Sequence, residues 1–217
     1  NSLKENSYKI ITYKNIKTDP YSLSDNSLFS ILKDSKKRIW IGTYGGGLNL
    51  VQNSSDLYHL RFINKNNRLM TYPKEFYSKI RFLFEHQNVI FVCTTDGLLT
   101  YSARIGNISG IKFFKNERSP YRADGLSNNN VMRIFKDRHG NLYAVEYGGG
   151  FSRILSKNYL SDHLIFKSYS EKEGLLSDLA LSMVEDKNGY LWIFMERGIS
   201  KFNPHEETFV NFKNDFF

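Results

Sequence analysis

Apolar and aromatic residues gather in short runs with turn-forming residues between them, and the runs alternate with polar positions at a period of two. Val131-Met132-Arg133-Ile134-Phe135-Lys136 is followed by the turn Asp137-Arg138-His139-Gly140, then by Leu142-Tyr143-Ala144-Val145-Glu146, then by Tyr147-Gly148-Gly149-Gly150. This pattern predicts strands over 131–136, 141–146, 150–155 and 164–169. Even the most apolar run, Val89-Ile90-Phe91-Val92-Cys93, is far shorter than the ~20 residues of a membrane-spanning helix.

The runs repeat. Asp34-Ser35-Lys36-Lys37-Arg38-Ile39-Trp40-Ile41-Gly42-Thr43-Tyr44-Gly45-Gly46-Gly47-Leu48 matches the stretch from Asp137 to Phe151 position for position. A third copy starts Asp186-Lys187-Asn188-Gly189-Tyr190-Leu191-Trp192-Ile193 and ends Arg197-Gly198-Ile199, and a weaker copy runs from Glu85 through Phe91 to Asp96-Gly97-Leu98. The central aromatics Trp40, Phe91, Tyr143 and Trp192 are 51, 52 and 49 residues apart. A period near fifty made of short strands is one four-stranded blade per repeat. The fold class is therefore all-β: about four antiparallel β-propeller blades, near 24–72, 77–122, 126–170 and 175–213. Residues 8–13 read as the outer strand of a preceding blade, while 208–212 supply the last blade's own. One strand too many implies a segment of a larger array, with an open arc or pairing to another chain to cover the apolar end faces.

The first turn of each unit needs a residue at positive φ after its aspartate, a place Gly140 and Gly189 fill at no steric cost and Asn88 tolerates. Lys37 in the first copy departs from this and predicts either local strain or a looser turn.

Gly125-Leu126-Ser127-Asn128-Asn129-Asn130-Val131 followed by Ile134, Asp137, Gly140, Leu142 and Gly150 resembles the two-component regulator propeller repeat. So does Leu23-Ser24-Asp25-Asn26-Ser27-Leu28 leading into Ile31, Asp34, Trp40-Ile41-Gly42-Thr43 and the glycine triplet, and the last unit opens with Gly174-Leu175-Leu176-Ser177-Asp178. The unit near Lys79 lacks the Gly-Leu-Ser opening. The resemblance implies the periplasmic sensor region of an inner-membrane hybrid histidine kinase, of the kind Bacteroidetes use to sense oligosaccharides and control glycan-utilisation genes. It also implies a homodimeric parent that reaches the membrane through other parts of its chain.

Composition changes this picture little. An aromatic fraction of 15% favours strands, and 24% charged residues with 4 Pro do not suggest disorder. The net charge of +8 is concentrated in residues 1–119, which hold 18 Lys+Arg against 9 Asp+Glu. Such a bias attracts anions unless it is merely scattered solvated charge. No nucleic-acid reading motif accompanies it. A nucleophile elbow is absent, Cys93 sits mid-strand as a small hydrophobe, and none of the five histidines stands at metal-ligand spacing. The glycine triplets precede no Gly-Lys-Ser/Thr and read as tight turns, not a phosphate cradle. The aspartates at 34, 137 and 186 read as turn formers. No cofactor, metal or catalytic set is expected. The alternatives to ligand sensing are a protein-interaction platform and, third, a polysaccharide lyase-like propeller.

In a propeller the loop entering the inner strand and the loop joining the second and third strands share one face. Here that face should gather Tyr44 and Tyr147 beside the triplets, Asp96, Glu146 and Arg197 from the same loop, and Asn26, Asn129 and Asp178 from the entering loop. Arg81 and Arg133 should follow at equivalent inner-strand positions. Aromatic rings stack on sugar faces, amides and carboxylates bond hydroxyls, and arginines would admit an acidic oligosaccharide. The competing reading is that the tyrosines pack over the glycine turns and the Asn/Asp side chains cap loops.

Overall fold

The computed structural model describes residues 9–53, 55–73 and 75–213. Among the described residues sixteen strands form four four-stranded antiparallel sheets, each a blade whose strands pair in chain order. Blade one comprises β1 (Leu28–Lys33), β2 (Ile39–Thr43), β3 (Gly47–Gln52) and β4 (Arg61–Ile63). Blade two comprises β5 (Ile80–His86), β6 (Val89–Thr94), β7 (Gly97–Ser102) and β8 (Phe114–Asn116). Blade three holds β9 (Val131–Lys136), β10 (Leu142–Glu146), β11 (Gly150–Ile154) and β12 (Phe166–Tyr169), and blade four β13 (Ala180–Glu185), β14 (Leu191–Met195), β15 (Gly198–Asn203) and β16 (Thr208–Lys213). Inner strands β1, β5, β9 and β13 lie side by side in that order.

The period of two places successive residues of a central strand in different cores. In β6, Ile90 and Val92 pack into the core shared with blade one, together with Trp40, Leu48, Ile80 and Leu83. Phe91 and Cys93 of the same strand pack into the core shared with blade three, with Leu98, Val131 and Ile134. Tyr143, Val145 and Phe151 likewise meet Ala180, Met183 and Ile193 of blade four. Trp40, Phe91, Tyr143 and Trp192 occupy equivalent places in the second strands, opposite Leu50, Thr100, Arg153 and Lys201 of the third.

The first turns of blades one, three and four are three-residue loops closed by a left-handed residue, with φ of 62° at Lys37, 85° at Gly140 and 87° at Gly189. Lys37 keeps the tight turn in the left-handed region, so strain, not loosening, is the outcome. Asp34 holds it: its carboxylate accepts from the Lys36 and Arg38 amides at 2.9 and 2.8 Å, from Arg38 Nε at 2.7 Å and from the Trp40 indole at 2.8 Å. Asp186 accepts from Trp192 Nε1 in the same way at 2.9 Å. The aspartates therefore form the turn and also fix the central aromatic. Blade two differs: His86 pairs with Val89, leaving Gln87 and Asn88 as a two-residue turn with φ of 49° and 60°. By register His86, not Glu85, stands in the place of Asp34.

The predicted outer strand over 8–13 begins at a residue outside those described, and residues 9–13 form no strand. Their contacts are with blade one: Tyr13 packs edge-on against Phe62 and its hydroxyl donates to Leu57 O at 2.5 Å. No helix among the described residues is long and apolar enough to cross a membrane.

Candidate functional site

The loop joining second and third strands lies against the loop entering its own blade. The Tyr44 amide donates to Ser27 O at 2.7 Å and the Tyr147 amide to Asn130 O at 2.9 Å. Each tyrosine also bridges to the next blade, Tyr44 to Lys79 and Tyr147 to Leu179. The glycine triplets complete these joints, because Gly47 N donates to Ser78 O and both Gly148 N and Gly150 N donate to Asp178 O, each at 2.9 Å. A Cβ on Gly150 would run into Tyr169 O, and its φ is 72°. Glycine is thus required by both the close approach and the backbone.

Both predicted tyrosines are half-buried. Tyr44 stacks on the exposed Phe29 ring at 4.6 Å and 23°, and the Arg81 guanidinium lies 5.4 Å from its centroid. Tyr147 donates its hydroxyl to Glu196 Oε1 of blade four at 2.5 Å, and this hydrogen bond to a carboxylate raises the phenol's pKa.

The polar candidates divide. Asn26, Asn129 and Asp178 each use Oδ1 to accept a backbone N–H from upstream: Asn15 at 2.7 Å, Arg118 at 2.6 Å and Glu171 at 2.8 Å. Asp96 accepts from the Tyr77 amide at 3.0 Å. All four hold the shape of the loops around them. Arg197 is exposed at its loop tip.

Glu146 does not lie on the surface. It is fully buried in the register place where blades one and two have Thr43 and Thr94. Its Oε2 accepts from Ser127 Oγ at 2.5 Å and from the Asn128 amide at 2.6 Å, while Oε1 has no partner. Burial pushes its pKa up to about 7, against the opposing pull of the Ser127 hydroxyl. The tie joins the entering loop to the glycine turn, whose Gly149 O also accepts from Ser127 Oγ at 2.8 Å.

Arg81 and Arg133 are not equivalent. A bulge in every inner strand sets Arg81 at the bulged residue and Arg133 one place further, level with Phe82. Arg81 Nε donates to Asn130 Oδ1 at 2.9 Å across the joint between blades two and three. Arg133 Nη1 donates to Ser182 Oγ at 2.9 Å across the next joint, with its guanidinium 5.1 Å from the Phe82 centroid. Alternation alone cannot reveal a bulge, which is why the two were aligned in the sequence.

The bulge also exposes Phe29, which reads from sequence as one more apolar residue of a strand. Phe76 and Tyr121, in the loops entering blades two and three, are likewise exposed aromatics. Tyr121, at 94% exposure, is the most open large side chain among them. The sequence signal for these two is weak: each lies in a loop rather than in a repeated strand or turn. Cys93 is buried, and burial raises its thiol's pKa.

Comparison with known proteins now adds to this geometry. Residues 22–45, the entering loop through Tyr44 and the first triplet glycine, match the family described as Two component regulator propeller. The fold is shared with an extracellular domain from B. thetaiotaomicron assigned to a one component system, at 21% identity and a TM-score of 0.70, over 96% of this chain and 28% of that one. A second B. thetaiotaomicron extracellular domain, assigned to a hybrid two component system, matches at 20% identity and 0.63, over 89% and 24%. Virginiamycin B lyase of Staphylococcus aureus is similar at 10% identity and 0.56, over 94% and 60%. The chain spans about a quarter of the two extracellular domains it matches. No curated protein matches it in sequence.

Proposed function

We propose that this chain is a propeller segment of an extracytoplasmic sensor of the two-component type, and that its loop face receives an oligosaccharide. The observation that carries the sensor reading is the match to the two component regulator propeller family at 22–45, in a chain whose fold recurs in extracellular domains of a hybrid two component system and of a one component system. The face supports the ligand reading. Phe29, Phe76 and Tyr121 offer exposed rings. Arg81 and Lys79 stand over Tyr44, which stacks on Phe29, and this favours a sugar bearing a carboxylate or sulfate. In this reading the parent is a periplasmic-facing, homodimeric histidine kinase of the inner membrane controlling glycan-utilisation genes, and the segment itself performs no chemistry.

Binding would be transmitted through the joints, since the same loops that form the face tie each blade to the next by Tyr44, Tyr147 and the glycine amides. The test is a panel of neutral and acidic oligosaccharides against the purified chain, followed by hydrogen exchange with the best binder. Protection of segments 43–47, 76–81 and 118–130 supports the reading. No binder, or protection confined to the turns at 34–38 and 137–141, contradicts it. A second reading, an interaction platform, is favoured by the exposed Phe29, Phe76 and Tyr121 rings, which a protein partner could cover as well as a sugar.

A further inference from the structure

Glu146 is the odd residue at its place in the repeat. The equivalent positions in blades one, two and four hold Thr43, Thr94 and Met195. Each threonine satisfies its hydroxyl within its own turn. Thr43 Oγ1 donates to Gly47 O at 2.8 Å and accepts from the Gly46 amide at 3.1 Å, and Thr94 Oγ1 donates to Gly97 O at 2.8 Å and accepts from the Asp96 amide at 3.0 Å. A carboxyl is not needed to close the turn. In blade three it is wholly buried, keeps Oε1 without a partner, and is bonded instead to the half-buried entering loop at Ser127 and Asn128. A buried titratable group that the repeat does not require marks a functional departure from it.

No charged group pairs with Glu146 among the described residues. Ser152 of β11 faces it, but the Ser152 hydroxyl is shared with Ser168 of β12 at 2.9 Å. Arg133 of β9, Tyr147 beside it, Tyr169 of β12 and Asp178 of the next entering loop are bonded elsewhere, to Ser182, Glu196, Glu207 and the Glu171 amide. Lys136 and Arg153 pair with Leu142 and Tyr143 at the far end of β10, and Lys167 is bound to Glu207. An ionised Glu146 therefore gains solvation only where water reaches it. Strands β9 and β11 are fixed beside it by the ladder, whereas residues 127–130 belong to no strand.

That loop reaches across the joint between blades two and three. The Asn130 amide donates to Asn128 Oδ1, Asn130 O accepts from the Tyr147 amide, and Asn130 Oδ1 accepts from Arg81 Nε, each at 2.9 Å. We propose that Glu146 is a proton-operated latch: protonated, it holds the 127–130 loop closed on the glycine turn, and on losing its proton it releases the loop and with it Arg81. Burial raises the carboxyl from an ordinary 4.5 to about 7. The opened form, in which water reaches Glu146, then gains about tenfold per pH unit between those values, about 300-fold in all, and levels off above about pH 7. The inference is independent of what the loop face binds.

Hydrogen exchange followed by NMR from about pH 5 to about pH 8, corrected for the intrinsic pH dependence of exchange, reads such openings residue by residue. The comparison is between the Tyr147 amide, which rests on Asn130 O, and the Tyr44 amide, which rests on Ser27 O in blade one. The proposal predicts that the opening constant at Tyr147 rises about 70-fold over this range, that the Arg81 Nε–H rises in step, and that Tyr44 stays level. Glu146→Gln keeps an oxygen for Ser127 and Asn128 and should flatten the Tyr147 curve. Should that variant not fold, Glu146→Thr, which installs the residue type of blades one and two, takes its place. A flat Tyr147 curve in the parent, a rise that persists in the variant, or an Arg81 Nε–H that stays level would each overturn the proposal. So would an equal rise at the ladder amides of β10 and β11, which would mean unfolding of the whole blade.

Discussion

Replacing Glu146 by Gln should remove a pH-dependent penalty on the stability of blade three. The carboxyl is buried without a charged partner, and its pKa stands at about 7 against an ordinary 4.5. The folded state therefore holds a proton that the unfolded chain releases between those values. The stabilisation from this group is complete below about pH 4.5 and is lost as pH rises through about 7. A shift of that size corresponds to about 3 kcal/mol between the two plateaus. Glutamine keeps an oxygen for the Ser127 hydroxyl and the Asn128 amide but cannot ionise. The variant should match the parent within about 1 kcal/mol at pH 5 and exceed it by about 3 kcal/mol at pH 8. Urea unfolding of both proteins across that range measures the difference. His86, whose pKa burial lowers, pushes the opposite way in both and cancels. Parallel curves for the two proteins, or a variant less stable at pH 8, would refute the reasoning.

Lys37→Gly should raise stability by about 0.5–1 kcal/mol, because glycine meets the left-handed φ of 62° without the strain lysine carries; the urea midpoint reads this. Asp34→Ala removes the buried carboxylate that accepts from two amides, Arg38 and the Trp40 indole, leaves those donors unpaired, and should cost about 2–4 kcal/mol with a loss of near-ultraviolet circular dichroism from Trp40. Gly150→Ala places a methyl against Tyr169 O at a φ of 72° and should cost at least about 2 kcal/mol, seen as a lower melting temperature.

The blades were legible because a four-stranded repeat writes the same turn and the same aromatic at each period. The Asp34, Asp137 and Asp186 turns and the places of Trp40, Phe91, Tyr143 and Trp192 follow directly from it. The loop face was legible as a place, since Tyr44 and Tyr147 do meet the entering loops there. Its individual residues were harder. Period-two alternation misses the inner-strand bulge, which separates Arg81 from Arg133 and exposes Phe29. Nor does alternation distinguish an inward Glu146 from an outward one, because only the neighbouring blades show that the place it shares with Thr43 and Thr94 points inside. Asn26, Asn129 and Asp178 hold their loops, a role that depends on backbone amides brought close by folding rather than on sequence neighbours.

The claim that the loop face is the receptor surface meets its most direct test in calorimetric titration of the tightest oligosaccharide from the screen into the chain and into a Phe29→Ala/Tyr44→Ala variant. Phe29 is exposed, Tyr44 is half-buried and the joint is made by the Tyr44 backbone, so the variant should remain folded. The account predicts binding at least about tenfold weaker with little change in melting temperature; an affinity equal to the parent's in a folded variant would contradict it.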